Sequence, residues 1–219
     1  IYNFGGQNVP RVITDISKVE KITEKEMKSV GHFYLPELDK WKMNDQGCDF
    51  VYSGANPIPF MLPNGMKEIQ DAAIWTTGSD QQNKFPLFDL VSFSTTEKFH
   101  SELNFLEIYD TQIAEAMVLI SERKDTVLIL KTQNNHAMPA LRRAFVSLLE
   151  AKSKIPVIAK VSYPDQSQDE TTLYAATDVG GLLIDGLGDG IFISLKKEQE
   201  HSRKEILDQI KLHNSVGFG

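Results

Sequence analysis

Short apolar runs recur along the whole chain, at residues 11–16, 48–53, 89–94, 104–109, 126–132, 156–163 and 190–195. Each is rich in β-branched or aromatic residues and shows little alternation with polar ones. That is the pattern of strands buried on both faces of a parallel sheet. A further strand is predicted within 68–76, where Ile69, Ala73 and Trp75 are apolar, although the same spacing also fits a helix. In the second half the runs alternate with helical periodicity. Ile113, Met117 and Ile120 predict a helix capped by Asp110 and running to about Lys124. Met138, Leu141, Phe145, Leu148 and Leu149 form a stripe on a second helix, starting at about Ala137. Ser167 with Glu170 makes a capping box for a third, and Ile206, Leu207 and Ile210 line a last one. Strand-helix alternation with seven or eight strands predicts an α/β fold of the TIM-like (β/α)8 barrel type.

The first half is less regular. Residues 43–48, 53–65 and 78–86 are rich in Asn, Gly, Pro or other polar residues, so irregular or helix-less βα units are expected there. Trp41, Phe60 and Phe85 fall in these loops and are candidates for an exposed docking face. Val179–Leu195 reads as two glycine-rich turns and a strand, with Gly186, Gly188 and Gly190 feeding the strand at 191–195. A dinucleotide fingerprint would place its glycines between a strand and a following helix, the opposite order.

Composition narrows the function classes. The chain has 219 residues, 41% of them hydrophobic and 24% charged, as expected of one large globular domain spanning 1–219. A net charge of −7 with no basic cluster argues against nucleic acid or an anionic membrane as partner. No apolar stretch is long enough to span a bilayer. Cys48, the only cysteine, excludes an internal disulfide and a thiolate metal site, and a reducing, cytoplasmic setting is expected. His32, His100, His136, His201 and His213 are dispersed without metal-site spacing, so surface or loop roles are expected. His136 stands apart because it follows a strand, where barrel enzymes gather their chemistry, though it could simply cap the next helix. Asp178, Asp185 and Asp189 could ligate a cation or make turn-stabilising bonds. The segment 196–200 reads as a solvated helix start. The chain begins at Ile1 and ends Gly217-Phe-Gly, which we take as the bounds of a piece of a longer polypeptide.

Two segments carry a family resemblance. Val127-Leu-Ile-Leu-Lys-Thr-Gln-Asn-Asn-His-Ala-Met-Pro-Ala-Leu-Arg-Arg-Ala-Phe145 resembles a strand ending in Lys and the helix after it in 4-hydroxy-3-methylbut-2-enyl diphosphate synthase. Residues 180–195 resemble that family's closing barrel segment, G-A-L-L-x-x-G-[IL]-G-D-T-I-R-[VI]-S-L, with Gly190 in place of Thr and Phe192 in place of Arg. Lys131 and Ser194 match; Tyr163 stands where a V-T-E-A-G pattern has its Glu. The resemblance implies an iron–sulfur oxidoreductase that opens the cyclic diphosphate of 2-C-methyl-D-erythritol. Its [4Fe–4S] cluster, held by three Cys and one Glu, is fed by ferredoxin or flavodoxin. A phenyl ring cannot donate the two hydrogen bonds of a guanidinium to phosphate. The chain therefore resembles the inserted barrel of the three-domain form, set between catalytic barrel and iron–sulfur domain, with no catalytic residue and no cofactor of its own. If a vestigial anion site survives, Lys131, His136, Gly186, Gly188 and Ser194 are the residues expected to form it. The competing reading is a stand-alone barrel enzyme or binding protein for a phosphorylated ligand, using Lys131, His136, Asp165 and the turn at 186–190.

Overall fold

Eight parallel strands close into a barrel, and the apolar runs supply most of them. A computed structural model describes residues 1–19, 21–43, 47–79, 81–164 and 166–195. The first strand, β1 (Arg11–Asp15), leads into α1 (Glu24–Ser29) and an antiparallel hairpin of β2 (His32–Leu35) and β3 (Lys40–Met43). The chain continues through β4 (Phe50–Gly54), β5 (Lys67–Asp71), α2 (Ala72–Thr77), β6 (Lys84–Phe88), α3 (Leu90–Thr95), β7 (Asn104–Tyr109) and α4 (Ile113–Ile120). It ends with β8 (Thr126–Lys131), α5 (Ala137–Glu150), β9 (Val157–Tyr163), α6 (Gln168–Ala175), a π-helical stretch (Ala176–Gly180), α7 (Gly181–Ile184) and β10 (Gly190–Leu195). Around the barrel the strand order is β1-β10-β9-β8-β7-β6-β5-β4, and β4 pairs back onto β1. This is the TIM-like α/β barrel that the alternation predicts.

The irregularity expected early in the chain is present. The β4–β5 connection has no helix among its described residues, and β1 reaches β4 through α1 and the hairpin. One expected strand is a helix. Residues 89–94 lie in and before α3, whose cap Asp89 accepts from the Ser92 amide at 2.7 Å while the Ser92 hydroxyl accepts from the Asp89 amide at 3.0 Å. Leu90 and Phe93 are its buried side, and over so short a run that spacing cannot be told from a strand. The true strand, β6, lies partly inside the segment read as polar loop. Pro86, a residue that argues against a central strand, hides it. The ambiguous segment 68–76 is both things in turn, β5 and then α2, with the Trp75 indole donating to the Lys84 carbonyl at 3.0 Å.

The helix after β7 begins with a 3-10 turn, Asp110–Gln112, so Asp110 sits inside the first turn and not at the cap, and α4 ends at Ile120. On α5 the buried side is Ala140, Leu141, Ala144, Phe145 and Leu148, while Leu149 is exposed. The capping box at Ser167 and Glu170 forms as expected. Gly180 and Gly181 are helical, joining the π-helical stretch to α7, so Val179–Leu195 contains one glycine turn and not two. His32 is fully buried and donates from Nε2 to the Cys48 carbonyl at 3.0 Å, contrary to a surface role. The expected last helix (Ile206, Leu207, Ile210), the segment 196–200, and Asp165, His201 and His213 lie outside the described residues.

Alternation along each strand divides the apolar core into two layers. Inside the barrel pack Ile13, Phe50, Ile69, Phe85, Phe105, Val127, Ile129, Ile158 and Phe192, closed at the N-terminal ends of the strands by Phe4, which meets Phe50 and Phe105 at 5.3 and 5.8 Å. Outside, residues such as Val12, Leu106, Leu128 and Ile191 pack under the helices. Phe85 is thus a core residue and no part of a docking face, because it belongs to β6. Trp41 and Phe60 stack on each other at 6.1 Å and are half-buried against the outer layer.

Candidate functional site

The same alternation that points Phe105, Ile129, Ile158 and Phe192 into the barrel turns the residues two further along toward its C-terminal mouth. These are Glu107, Lys131, Lys160 and Ser194, joined by Asp15, Tyr52 and Asp71 from β1, β4 and β5. A polar layer therefore caps an aromatic one, at the barrel face where active sites collect.

Its centre is Glu107. Lys160 Nζ lies 2.5 Å from one carboxylate oxygen, and Lys131 Nζ is bonded to the other. Lys160 also lies over the rings of Phe192 (4.2 Å) and Tyr52 (5.5 Å), and Lys131 over Tyr109 (4.4 Å). Around them, the Tyr52 hydroxyl donates to Asp71 at 2.5 Å. Asp15 accepts from the Ser194 hydroxyl, and from the amide and hydroxyl of Ser17 at 2.9 and 2.6 Å. Burial alone would push the Glu107 carboxyl up, yet the two ammonium groups outweigh it and hold Glu107 below the usual carboxylate range. Burial would likewise lower Lys131, but its bond to Glu107 raises it. Burial and the Asp71 contact push the Tyr52 phenol up, so it stays a neutral donor.

The sign of the Glu107 shift fixes a pH dependence. A carboxyl whose folded pKa lies below its unfolded value of 4.5 stabilises the fold fully above that value, and the contribution is lost as pH falls through the lower folded value. Stability of the chain should therefore fall on acidification below about pH 4.5, and Glu107→Gln should flatten part of that slope. Urea unfolding between pH 3 and 7 measures it, those limits being set roughly by the carboxylate range. Equal slopes in both proteins would disprove the contribution.

Beside the mouth, between the ends of β8 and β9, lies a groove of about 890 Å3 whose lining includes Tyr109, Lys131, His136, Lys160, Tyr163 and Asp178. The structure thus brings Lys131 and His136 to one groove. His136 is exposed at the N-cap position of α5 and makes no side-chain capping bond. Ser194 is directed at Asp15 and is not part of the groove lining. Gly186 and Gly188 precede β10 and so stand at the opposite end of the barrel. There they have φ of +72° and +98° and turn the chain from α7 into the strand. Asp178, Asp185 and Asp189 do not converge. Each holds its own partner: the Tyr163 hydroxyl at 2.9 Å, Arg142 at 2.5 Å and the Val157 amide at 2.8 Å. No group of three or more metal-ligating side chains occurs among the described residues.

Two of the three departures from the family pattern, Phe192 and Tyr163, have distinct places. Phe192 is fully buried inside the barrel, edge-on to Tyr52 at 5.5 Å. Tyr163 points to the outer layer, against the π-helical stretch. Glu107, Lys160, Asp15, Tyr52 and Asp71 were not evident from motifs. The available signal was phase, since each is a polar residue two positions after an inward apolar one.

No protein-family profile matches the chain. It is similar to curated proteins named 4-hydroxy-3-methylbut-2-en-1-yl diphosphate synthase (flavodoxin). With that of Bacteroides thetaiotaomicron it is 24% identical over 203 residues, which cover 92% of this chain and 29% of the relative. With that of Parabacteroides distasonis it is 26% identical over 146 residues, 66% of this chain and 23% of the relative. With the chloroplastic 4-hydroxy-3-methylbut-2-en-1-yl diphosphate synthase (ferredoxin) of Arabidopsis thaliana it is 44% identical over 55 residues, 25% of this chain and 7% of the relative. The chain spans between 23% and 30% of the length of the flavodoxin-type relatives it matches. No helix among the described residues is long and apolar enough to cross a membrane.

Proposed function

We propose that this chain is a single barrel-like domain of a longer polypeptide of the 4-hydroxy-3-methylbut-2-enyl diphosphate synthase kind, an inserted middle domain that spaces two working domains and is not itself catalytic. The observation that carries this reading is the barrel mouth. Its two ammonium groups are both taken by Glu107, and Phe192 fills the interior where the family pattern has a phosphate-binding Arg. Alignment over 92% of this chain but only 29% of a relative supports its being one part of a larger body. In the whole polypeptide the activity would be reductive ring opening of 2-C-methyl-D-erythritol 2,4-cyclodiphosphate in isoprenoid biosynthesis, in the cytoplasm, with ferredoxin or flavodoxin as electron donor. The names of the relatives support that assignment of donors. A [4Fe–4S] cluster does not fit this chain, because Cys48 is its single cysteine and is 1% exposed in the outer core. The cluster would belong to another domain.

Calorimetric titration of the chain with the cyclic diphosphate and with pyrophosphate tests the reading. The expected result is no saturable binding tighter than about millimolar, weaker than the range of ordinary enzyme substrates. Micromolar binding that disappears in Lys131→Ala would overturn the spacer assignment in favour of a ligand-binding barrel.

A further inference from the structure

We propose that Glu107 is a built-in substitute for an anionic ligand, and that the barrel mouth is a latent site for phosphate-type anions which this carboxylate keeps closed. Lys131 and Lys160 rise from adjacent strands, β8 and β9, and end on different oxygens of the same carboxylate, whose own strand, β7, lies on the far side of β8. Two ammonium groups converging on two oxygens of one anion is also the arrangement that would grip a phosphoryl group. Neither lysine is a loose surface charge. The side chains of Glu107 and Lys160 are each 15% exposed and that of Lys131 27%, and both ammoniums rest on aromatic rings.

Electrostatics then decide what can enter. With Glu107 ionised, the mouth holds Asp15, Asp71 and Glu107 against Lys131 and Lys160, and Asp89 adds its field at Lys131. The balance is negative, so an incoming anion would meet repulsion and find both ammoniums occupied. Neutralising Glu107 evens the count, Asp15 and Asp71 against Lys131 and Lys160, and frees two ammoniums that point at one position in a poorly screened mouth, where an anion can bridge them. The groove at β8 and β9 opens onto both lysines and gives that anion its path.

The test is Glu107→Gln, titrated with inorganic pyrophosphate beside the unaltered chain in low-chloride buffer. The variant should bind pyrophosphate at least about tenfold more tightly, the size of one hydrogen bond to a charged group. The gain should fall with added salt and vanish in Glu107→Gln/Lys160→Met. The proposal is overturned if Glu107→Gln binds no more tightly than the unaltered chain, or if the gain survives loss of Lys160. It is also overturned if the unaltered chain already binds as tightly. Where Glu107→Gln does not fold, Glu107→Asp decides the matter, since it keeps the charge but withdraws it by one methylene. Pyrophosphate must then raise the thermal midpoint of Glu107→Asp more than that of the unaltered chain, and equal shifts refute the idea. The gain in Glu107→Gln bears on Glu107 alone, whereas the spacer reading turns on the unaltered chain, so the two can fail separately.

Discussion

Phe192→Ala is expected to lower the unfolding free energy by about 3–5 kcal/mol, the cost of truncating a fully packed phenyl ring. The ring is fully buried, sits level with Ile13 of β1 and Lys160 of β9, and touches Tyr52 across the barrel. Its removal would leave a void under the polar mouth and take the aromatic face from beneath the Lys160 ammonium, 4.2 Å away. A loss of this size is a large share of the roughly 5–15 kcal/mol that holds a typical domain together. Phe192→Leu separates the two contributions, because it keeps most of the volume and gives up only the ring face, and should cost about 1 kcal/mol. Urea titration of the three proteins measures both. A loss under about 1 kcal/mol for the alanine variant would mean that the interior is not packed around this ring.

Gly190→Ala is expected to cost about 3 kcal/mol or more, for a different reason. Gly190 pairs with Arg11 at the seam between the first and last barrel strands, and a Cβ built on it would stand 2.5 Å from the Arg11 carbonyl oxygen and 3.1 Å from the Arg11 nitrogen. The obstructing atoms are backbone, so no side-chain rotation relieves the overlap and the seam itself must open. Opening it strains the Arg11 amide bond to Asp189 (3.0 Å) and the Arg11–Asp49 ion pair (3.0 Å) that tie the lower rim together. Gly186→Ala offers the contrast. Its φ of +72° penalises a side chain, but nothing stands within 4 Å of the added carbon, so only about 1 kcal/mol should be lost. Differential scanning calorimetry of the two variants gives the ranking, and a Gly186→Ala loss equal to or larger than that of Gly190→Ala would refute the steric account.

Barrel architecture was legible in the chain because buried parallel strands are written as unbroken apolar runs, as in residues 126–131 and 157–163. The errors share a cause. Residues 84–88 and 89–94 are two short, adjacent, mixed segments in which Pro86 disguises a strand, and Leu90 with Phe93 disguises a helix. Over five or six residues the periods of 2 and 3.6 cannot be separated. Of the site, Lys131 and Phe192 were legible because family motifs made their neighbours comparable. Glu107 and Lys160 were not, since a charged residue within an apolar strand carries no local sign of its partner. Their meeting is set by the shared register of β7, β8 and β9, a property of the closed sheet and not of any segment. The placement of Gly186 and Gly188 at the other end of the barrel from Lys131 follows the same logic, because sequence order does not reveal which rim a turn belongs to.

The seam between β1 and β10 also sets a timetable. Asp15 and Ser194, bonded to each other across it, are separated by 179 positions in the chain. While the polypeptide is still emerging from a ribosome, β1 and β9 are left with open parallel edges, and Phe50, Phe85 and Phe105 have no closed wall around them. Contacts of such long sequence separation form slowly, because the whole intervening loop must be closed before they can contribute. The barrel therefore cannot finish folding until synthesis has passed residue 195, and until then its nascent chain exposes apolar side chains that the closed barrel covers.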